Sequence, residues 1–366
     1  MTMSYPLQQT AQISRSAFSG VFILIFLLLA LTISISGYVY YLSIQKVVKA
    51  SACRQLGAVA DLKAGQIERW RRQLRHDAEV IRCNPFLIEG VGDRSNRILL
   101  GYFQTIQQQY RYRSIALLEP GGALVLAVEG DPEVQYATVG ELVRQAANSG
   151  EVLLSDFHRI KSANSSTQDF IQLDLVAPLK PVVGADGRPK RVIQIGIDPQ
   201  VFIYPLIQTW PGVSNSAETL LIRRQGDAVI FLNELRHRKG TALNLRFPMS
   251  RTTLPAVMAA AGVQGVVEGV DYRGIAVFAT VRKIPESPWF MVSKVDAREV
   301  YAPIIEKGRL VTRVSVLLII VAGVAVQGFW WRHKAEFARR QLAAESERDA
   351  LASKYDYLSR KLCGVF

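Results

Sequence analysis

The sequence predicts an α+β fold in which two copies of one α+β module lie between two membrane-spanning helices. Three observations in its 366 residues predict this fold. Two long runs of residues carry no charge and are almost entirely apolar. A helical pattern follows the first of these runs without a break. The stretch between the runs then shows the same series of strand and turn patterns twice.

The first uncharged run, residues 16–45, is long enough to cross a bilayer. Its centre reads VFILIFLLLALTISISGYVYYL, and as a helix the whole run rises about 45 Å. A cleaved signal peptide has a shorter apolar core and a small-residue cleavage site. We therefore predict an uncleaved anchor, with residues 1–16 in the cytoplasm and a transmembrane helix at residues 17–42.

The second uncharged run, residues 314–331, rises about 27 Å as a helix and ends in the aromatic group Phe329, Trp330 and Trp331. It predicts a transmembrane helix at residues 310–331. Two lysines follow the first span, whereas a larger basic group follows the second. Basic flanks stay in the cytoplasm, while long domains are translocated regardless of their charge. Residues 46–309 are therefore predicted to be extracytoplasmic.

The net charge does not indicate a nucleic-acid-binding protein. The chain has 44 Lys and Arg against 31 Asp and Glu, which gives +13. No dense basic block lies between the spans, so we interpret these residues as a solvated, mildly cationic surface. The sequence also lacks metal-ligand spacing, a P-loop, GxGxxG and a Ser/His/Asp pattern. We predict no cofactor, no metal site and no catalytic domain in this chain.

A stalk helix is predicted at residues 43–84. Apolar residues recur there at steps of three or four, while several arginines face elsewhere. The apolar positions are Ile67, Trp70, Leu74, Ala78 and Ile81. Such a stripe packs either on the following domain or on a second copy of the same helix.

Two modules are predicted after the stalk, at residues 85–205 and 206–308. The hairpins RSIALLEPGGALVLAVEG and AETLLIRRQGDAVIFLNEL open the strand patterns of the two modules. A second strand pair follows in each: DFIQLDLVAPLKPVV with KRVIQIGIDP, and YRGIAVFATVRKI with WFMVSKVDAREV. Each module ends in a strand, an aspartate (Asp198 or Asp296) and a helix. One repeated α+β module explains this pattern.

Three stretches resemble a known family: LKAGQIERW, YPLIQTWPGVSNSAETLLIRRQGDAVIFLNELRH and GVDYRGIAVFATVRKIPESPWFMVSKVD. They look like the double Cache (dCACHE, tandem PAS-like) ectodomains of bacterial sensor histidine kinases, diguanylate cyclases and chemoreceptors. The resemblance covers roughly residues 40–310. It implies a sensor in the bacterial inner membrane that binds a small ligand in its membrane-distal module, residues 85–205, with the membrane-proximal module following.

The densest polar group of the first module comes just before a strand that carries Gln172 and Asp174. It comprises Asp156, His158, Arg159 and Lys161. Arg and His suit a carboxylate ligand, because both donate hydrogen bonds to its oxygens. We predict a small polar or anionic metabolite held by Arg159 and His158, with Asp156 and Asp174 shaping the cavity. The alternative is a solvated loop rim.

Three further residues are candidates for the same site. Tyr110 and Tyr112, near the first strand, either line the cavity or pack in the core. Asp198 lies where the amino-acid-binding variant of the family contacts an amine; it equally suits a helix start with Pro199. The Arg-x-Trp-Tyr signature of that variant is absent. In the second module, Trp210, Tyr272 and Trp289 are interpreted as core or hinge residues.

The predicted cytoplasmic segment, residues 332–366, has a short heptad pattern that predicts a parallel homodimer. Its positions are Phe337, Gln341, Ala344, Arg348, Leu351, Tyr355, Leu358 and Leu362. In relatives, a segment like SKYDYLSR leads into a cytoplasmic effector, whereas here KLCGVF ends the sequence. We expect either a truncated gene product or a separate effector partner. The function predicted is a transmembrane ligand sensor; the alternative is the sensory fragment of a histidine kinase or diguanylate cyclase.

Overall fold

The computed structural model describes residues 7–84, 87, 93–128, 139–161, 169–180, 189 and 191–363. Within these residues the chain forms six helices and twelve strands. The helices are α1 (Leu7–Arg82), α2 (Asp93–Tyr110), α3 (Gly140–Ser149), α4 (Ile203–Gln208), α5 (Pro255–Ala260) and α6 (Ala297–Cys363). The strands are β1 (Ser114–Leu118), β2 (Leu124–Val128), β3 (Leu153–Leu154), β4 (His158–Ile160), β5 (Phe170–Pro178), β6 (Val192–Ile197), β7 (Glu218–Gln225), β8 (Ala228–Phe231), β9 (Arg246–Pro248), β10 (Gly265–Val270), β11 (Ala276–Lys283) and β12 (Trp289–Asp296).

The helices α1 and α6 contain the two predicted spans. α1 joins the first span and the stalk in one helix, and α6 continues from the last strand through the second uncharged run. Each helix has an 18-residue window that is apolar enough to cross a membrane, with a mean hydropathy of 2.5 in α1 and 2.2 in α6. Neither window is buried inside the protein. Both helices are therefore candidate membrane spans.

Small residues bring the apolar parts of α1 and α6 close together. An added Cβ at Gly323 would lie 3.3 Å from Cε2 of Phe26, and one at Gly37 would lie 2.9 Å from Oγ of Ser315. These pairs run in opposite directions along the two helices, so the helices are antiparallel. Close approach of backbones is what stabilises helix pairs in lipid, because it increases van der Waals contact.

The chain divides into two compact units, one of residues 1–49 with 301–366 and one of residues 50–300. The first unit holds the apolar parts of α1 and α6, and the second holds both sheets. The predicted boundaries at residues 84–85 and 205–206, between the stalk and the two modules, stay predictions.

The first sheet contains β1 to β6. Its order is β2-β1-β6-β5-β3, with β4 also paired to β5, and neighbouring strands are antiparallel. β1 and β2 flank the Pro-Gly-Gly turn, in which Gly122 has φ 96°, a backbone conformation that glycine adopts readily. The predicted first hairpin is therefore confirmed.

The second sheet contains β7 to β12 in the order β10-β11-β12-β7-β8-β9. The predicted hairpin around Gly226 and Asp227 joins β7 to β8. Traced from β8, the strand order β8-β7-β12-β11-β10 repeats the order β2-β1-β6-β5-β3 of the first sheet. The predicted internal repeat is confirmed at the level of sheet topology.

The apolar stripe of α1 packs on the first sheet, which is the first of the two predicted alternatives. Four of its residues are buried in one cluster with the inward side chains of β1, β5 and β6. The stripe residues in this cluster are Ile67, Leu74, Ala78 and Ile81, and the sheet residues include Ile115, Leu117, Leu173, Leu175, Ile193 and Ile195. Trp70, half-buried, stacks on Phe202 with ring centroids 5.4 Å apart. Burial of each such side chain contributes about 1.5–3 kcal/mol.

Candidate functional site

A cluster of buried polar side chains lies at one end of the first sheet. This polar cluster consists of His158 on β4, Gln172 and Asp174 on β5, and Gln194 on β6. The last three side chains are 0% exposed. Alternation along β5 places Gln172 and Asp174 on the face opposite Leu173, as the sequence pattern predicts.

The Asp174 carboxylate is the centre of the polar cluster. Its Oδ1 accepts hydrogen bonds from Nε2 of Gln172, at 2.7 Å, and from Nε2 of Gln194. Its Oδ2 lies 2.9 Å from Nε2 of His158. A buried carboxylate is costly unless charges and hydrogen bonds compensate for the lost water, so these contacts hold the ion in place.

His158 is positioned by two aspartates. Its Nδ1 lies 3.1 Å from the main-chain oxygen of Asp156, while Nε2 faces Asp174. Burial of the imidazole lowers its pKa, but the contact with the Asp174 carboxylate outweighs burial and leaves the pKa of His158 above its ordinary value. The protonated form of His158 is therefore favoured in the folded protein.

The polar cluster has hydrogen-bonding capacity to spare. Among the described residues, Oε1 of Gln194 has no hydrogen-bond partner, and the contact between Asp174 and His158 is short but not aligned as a hydrogen bond. Native proteins satisfy nearly all buried polar atoms. An unsatisfied acceptor beside a buried carboxylate is an arrangement that a hydrogen-bond-donating ligand would complete.

Two small residues let β1 and β6 pack closely beside the polar cluster. Ser114, the first residue of β1, lies opposite Gly196 of β6. A Cβ at Gly196 would lie 2.3 Å from Oγ of Ser114 and 2.9 Å from Nε2 of Gln172, so the backbone of β6 must be glycine at this point. The rest of this sheet face is apolar and packs under α3, in a cluster that includes Ala116, Leu118, Val143, Ala146, Val176 and Val192.

In the second sheet, charged residues occupy the position that corresponds to Ser114 and Gly196. Glu218, the first residue of β7, lies opposite Lys294 of β12, as Ser114 lies opposite Gly196. The Lys294 ammonium lies 3.0 Å from the Glu218 carboxylate and 2.9 Å from that of Asp271. Tyr272 donates its hydroxyl proton to Glu218 at 2.9 Å. These charges compensate one another at the position that corresponds to Ser114 and Gly196.

The side chain of Asp156 contacts the second module, whereas its main-chain oxygen faces His158. Its Oδ2 forms an ion pair with Arg223 of β7, and its Oδ1 accepts a hydrogen bond from Nε1 of Trp289 at 2.8 Å. The ring of Phe157 lies 4.8 Å from that of Trp289. Trp289, interpreted from sequence as a core or hinge residue, is fully buried and joins the two modules.

Arg159 also faces the second module. Its Nη2 donates to the main-chain oxygen of Ala242 at 3.1 Å and to Oδ1 of Asn244 at 3.2 Å. Side chains alternate along β4, so Arg159 points away from the side that carries His158. The structure therefore brings His158 and Asp174 together but places Arg159 in a different contact.

The remaining predicted residues surround β1. Tyr110 ends α2, 50% exposed, and stacks on the buried Tyr112 with ring centroids 5.6 Å apart. Burial raises the pKa of Tyr112, which keeps its hydroxyl protonated. Asp198 pairs with Arg113 and accepts a hydrogen bond from the backbone nitrogen of Gln200 at 2.9 Å. The next helix begins only at Ile203, so the predicted helix start at Asp198 and Pro199 is wrong by several residues; a turn intervenes.

Sequence reasoning did not single out Gln194, Gly196 or Ser114. The run VIQIGI carries a signal for the first two, since an amide and a glycine interrupt an otherwise apolar strand. Ser114 has no such signal. Its role depends on which strand lies beside β1.

Comparison with known proteins identifies the fold. No family model and no curated protein matches the sequence. Among solved structures, the extracellular domain of the putative histidine kinase soHK1S-Z6 matches with a TM-score of 0.50 and 15% identity, over 72% of this chain and 99% of that one. The extracellular domain of the putative histidine kinase rpHK1S-Z16 matches with a TM-score of 0.50 and 12% identity, over 69% and 98%.

The sensory domain of the Campylobacter jejuni chemoreceptor Tlp3 (CcmL) also matches, with a TM-score of 0.50 and 8% identity, over 70% of this chain and 98% of that one. At such low identity the match concerns the fold alone. It agrees with the family resemblance of the sequence. The chain therefore has the fold of the double Cache (dCache-type) sensory domains of chemoreceptors and histidine kinases.

Proposed function

We propose that this protein is a transmembrane sensor whose first module binds a small extracytoplasmic metabolite and passes a conformational change to a cytoplasmic output. The observation that carries the proposal is the contrast between the two sheets. Where the second sheet places the Glu218–Lys294 ion pair, the first sheet has only Ser114 and Gly196, next to a buried carboxylate with unused acceptor capacity. A ligand in the first module would use this acceptor capacity.

The chemistry of the polar cluster favours a ligand that donates hydrogen bonds. Asp174 and Gln194 present acceptors, and an ammonium or hydroxyl group would satisfy both. His158, in its protonated form, supplies a donor for an oxygen of the same molecule. A small polar metabolite with an amine or hydroxyl group fits this set better than a simple acid, because Arg159 lies elsewhere.

In this proposal the predicted site residues have different roles. His158 and Asp174 contact the ligand together with Gln172 and Gln194. Tyr110, Tyr112 and Asp198 border the site, and Asp156 and Arg159 transmit its state to the second module.

The position of β4 provides a route by which ligand binding in the first module would affect the second module. His158 belongs to the polar cluster, while its chain neighbours Asp156, Phe157 and Arg159 contact the second module. A ligand that displaces His158 therefore displaces the contacts to Trp289, the first residue of β12. β12 ends at Asp296 and α6 begins at the next residue, so a shift of this strand reaches the helix that contains the second span.

The output and assembly belong to the same proposal. Two candidate membrane helices and a sensory fold suit a bacterial inner membrane protein with both termini in the cytoplasm, acting as a homodimer with a cytoplasmic effector. The alternative is the sensory part of a longer enzyme. Two of the structures reported above are from putative histidine kinases, which favours a kinase; a diguanylate cyclase stays a prediction.

Ligand screening of the full chain in detergent micelles tests the proposal. Thermal shift against a panel of amino acids, amines and hydroxy acids is followed by calorimetry of any ligand found. Asp174→Asn should weaken binding by about ten-fold or more, because a charge-assisted hydrogen bond contributes about 1.5–3 kcal/mol. Asp227→Asn, the same change at an exposed turn between β7 and β8, should bind as wild type does. Equal affinity of the Asp174→Asn variant and the wild type contradicts the proposal.

A further inference from the structure

Lys63, on α1, is a buried cation without a carboxylate partner. The residue is only 4% exposed. Its Nζ donates to the main-chain oxygen of Ile207 at 2.8 Å and to Oγ1 of Thr219 at 3.0 Å, and lies 5.4 Å from the centre of the Trp210 ring. Across the part of the chain that the structure describes, Lys63 forms no ion pair. Such a buried ammonium is costly unless an anion compensates for it.

A cleft of about 450 Å³ lies next to this ammonium. Thr219 and Trp210, which both contact Lys63, also line the cleft. Other lining residues include Ser214, Glu234, Leu235 and Arg236. The cleft belongs to the second module and is distinct from the polar cluster of the first sheet. Its size suits a small molecule, and Trp210 and Leu235 contribute apolar surface to a lining that is otherwise mostly polar.

The charged residues that line the cleft determine which ligands it can bind. Glu218 and Glu234 line it together with the cations Arg236 and Lys239. Glu218 is compensated by Lys294, and Glu234 accepts hydrogen bonds from the backbone nitrogens of Thr241 and Ala242, both at 3.2 Å. Neither is paired with Lys63. The lining carboxylates and the lining cations are equal in number, so a single negative charge on a ligand would balance Lys63.

We propose that this cleft is a second ligand site, which takes a small monocarboxylate whose carboxylate pairs with Lys63 and whose hydrocarbon part contacts Trp210. This site goes beyond the sensory role of the first module, because it places a second effector where α1 meets the second module.

Ligand binding at this site is expected to be coupled to proton uptake by Lys63. Burial lowers the pKa of Lys63 to about 8, so the empty site carries less positive charge at pH 8 than at pH 6. A bound carboxylate favours the ammonium form. Binding should therefore take up more protons at pH 8 than at pH 6.

Isothermal titration calorimetry of the full chain in detergent micelles, with propionate as the probe, tests this proposal. At pH 8 the binding enthalpy should differ between Tris and HEPES in proportion to proton uptake, and at pH 6 it should depend less on the buffer. Lys63→Met should weaken propionate binding by about ten-fold or more. Lys283→Met, the same change at an exposed lysine of β11, should bind propionate as wild type does.

Two further variants and two further ligands complete the test. Trp210→Ala leaves the Lys63 charge in place and should still weaken propionate binding, which covers the case in which Lys63→Met does not fold. Asp174→Asn should leave propionate binding unchanged, which separates this cleft from the first-module site, and succinate and inorganic phosphate should bind more weakly than propionate. The proposal is overturned by absence of saturable propionate binding, by wild-type affinity in the Lys63→Met or Trp210→Ala variant, or by binding without proton uptake at pH 8.

Discussion

At the scale of single residues, His158 and Asp174 determine the charge of the polar cluster. Asp174 is buried and receives hydrogen bonds from two glutamine side chains, and His158 faces its remaining oxygen. The cluster therefore has a protonation state that depends on pH near neutrality, which links the stability of the first module to the ionisation of one imidazole.

The first prediction concerns this pH dependence. Because the pKa of His158 is raised in the folded protein, its stabilising contribution is complete below the ordinary value of 6.5 and is lost as the pH rises through the raised pKa. We expect the Tm of the full chain to fall between pH 6 and pH 8 and to fall less in the Asp174→Asn variant. Scanning calorimetry in detergent measures both. The range stops at pH 8, before Lys63 loses most of its charge. An identical decrease in both proteins would show that the pair does not contribute.

The second prediction concerns Gly196. An alanine there places its Cβ against Oγ of Ser114, so we expect Gly196→Ala to cost about 1–3 kcal/mol of unfolding free energy by overpacking. Ser114→Gly in the same chain removes the clashing oxygen and should restore most of the loss. Urea unfolding of the wild type, both single variants and the double variant measures the effect. Additive losses in the double variant are incompatible with a direct contact.

At the scale of elements, β4 is the strand that contacts both the polar cluster and the second module. Its neighbour Asp156 pairs with Arg223 of β7 and accepts a hydrogen bond from Trp289 of β12. Arg71 of α1 lies over the same indole, 4.6 Å from the ring centre. One indole therefore joins the stalk helix, the second sheet and the segment that leads into β4.

The third prediction measures this connection by a double-mutant cycle. Asp156→Asn and Arg223→Gln should show a coupling free energy of about 1.5–3 kcal/mol, because both charged groups are largely buried. Asp61→Asn and Arg282→Gln form the matched control cycle. That ion pair joins α1 to β11, but Asp61 is 60% exposed, so its coupling should be below about 1 kcal/mol. Equal coupling in the two cycles would mean that Asp156 is an ordinary surface partner.

At the scale of the whole molecule, α6 is one continuous helix from the second sheet to the C-terminal segment. The helix runs without interruption from the end of β12 through the apolar window to Cys363. Its last part, including Leu342, Leu351 and Tyr355, is exposed in the single chain. The heptad pattern predicts that a second copy covers this surface, and the proposed conformational change would then alter the relation between two helices.

The fourth prediction tests the homodimer. With Cys53, Cys83 and Cys363 replaced by serine, single cysteines at Ala344 and Leu351 should crosslink into dimers in membranes. A cysteine at Ala338, outside the heptad positions, should crosslink less efficiently, because its side chain faces away from the seam. Non-reducing gel electrophoresis after mild oxidation measures the yields. Equal yields at the three positions are incompatible with a seam.

Much of the fold follows from local patterns. Uncharged runs predict both candidate spans, and turns around Gly122 and Gly226 predict both hairpins. Alternation in DFIQLDLV predicts that Asp174 lies on the face opposite Leu173, which is where the structure has it. Such patterns are readable because a side chain's direction depends on the backbone geometry of its own strand or helix.

The sequence by itself determined the two apolar helices, the repeated module and the involvement of His158 and Asp174 in one polar group. The tertiary structure decided that Arg159 reaches the second module, that Ser114 lies opposite Gly196, and that Lys63 is buried beside Trp210. These contacts join residues far apart in the chain, so they depend on which strands and helices become neighbours. Packing of the whole domain determines which elements become neighbours. A local sequence pattern does not specify which residue lies opposite on the adjacent strand or helix.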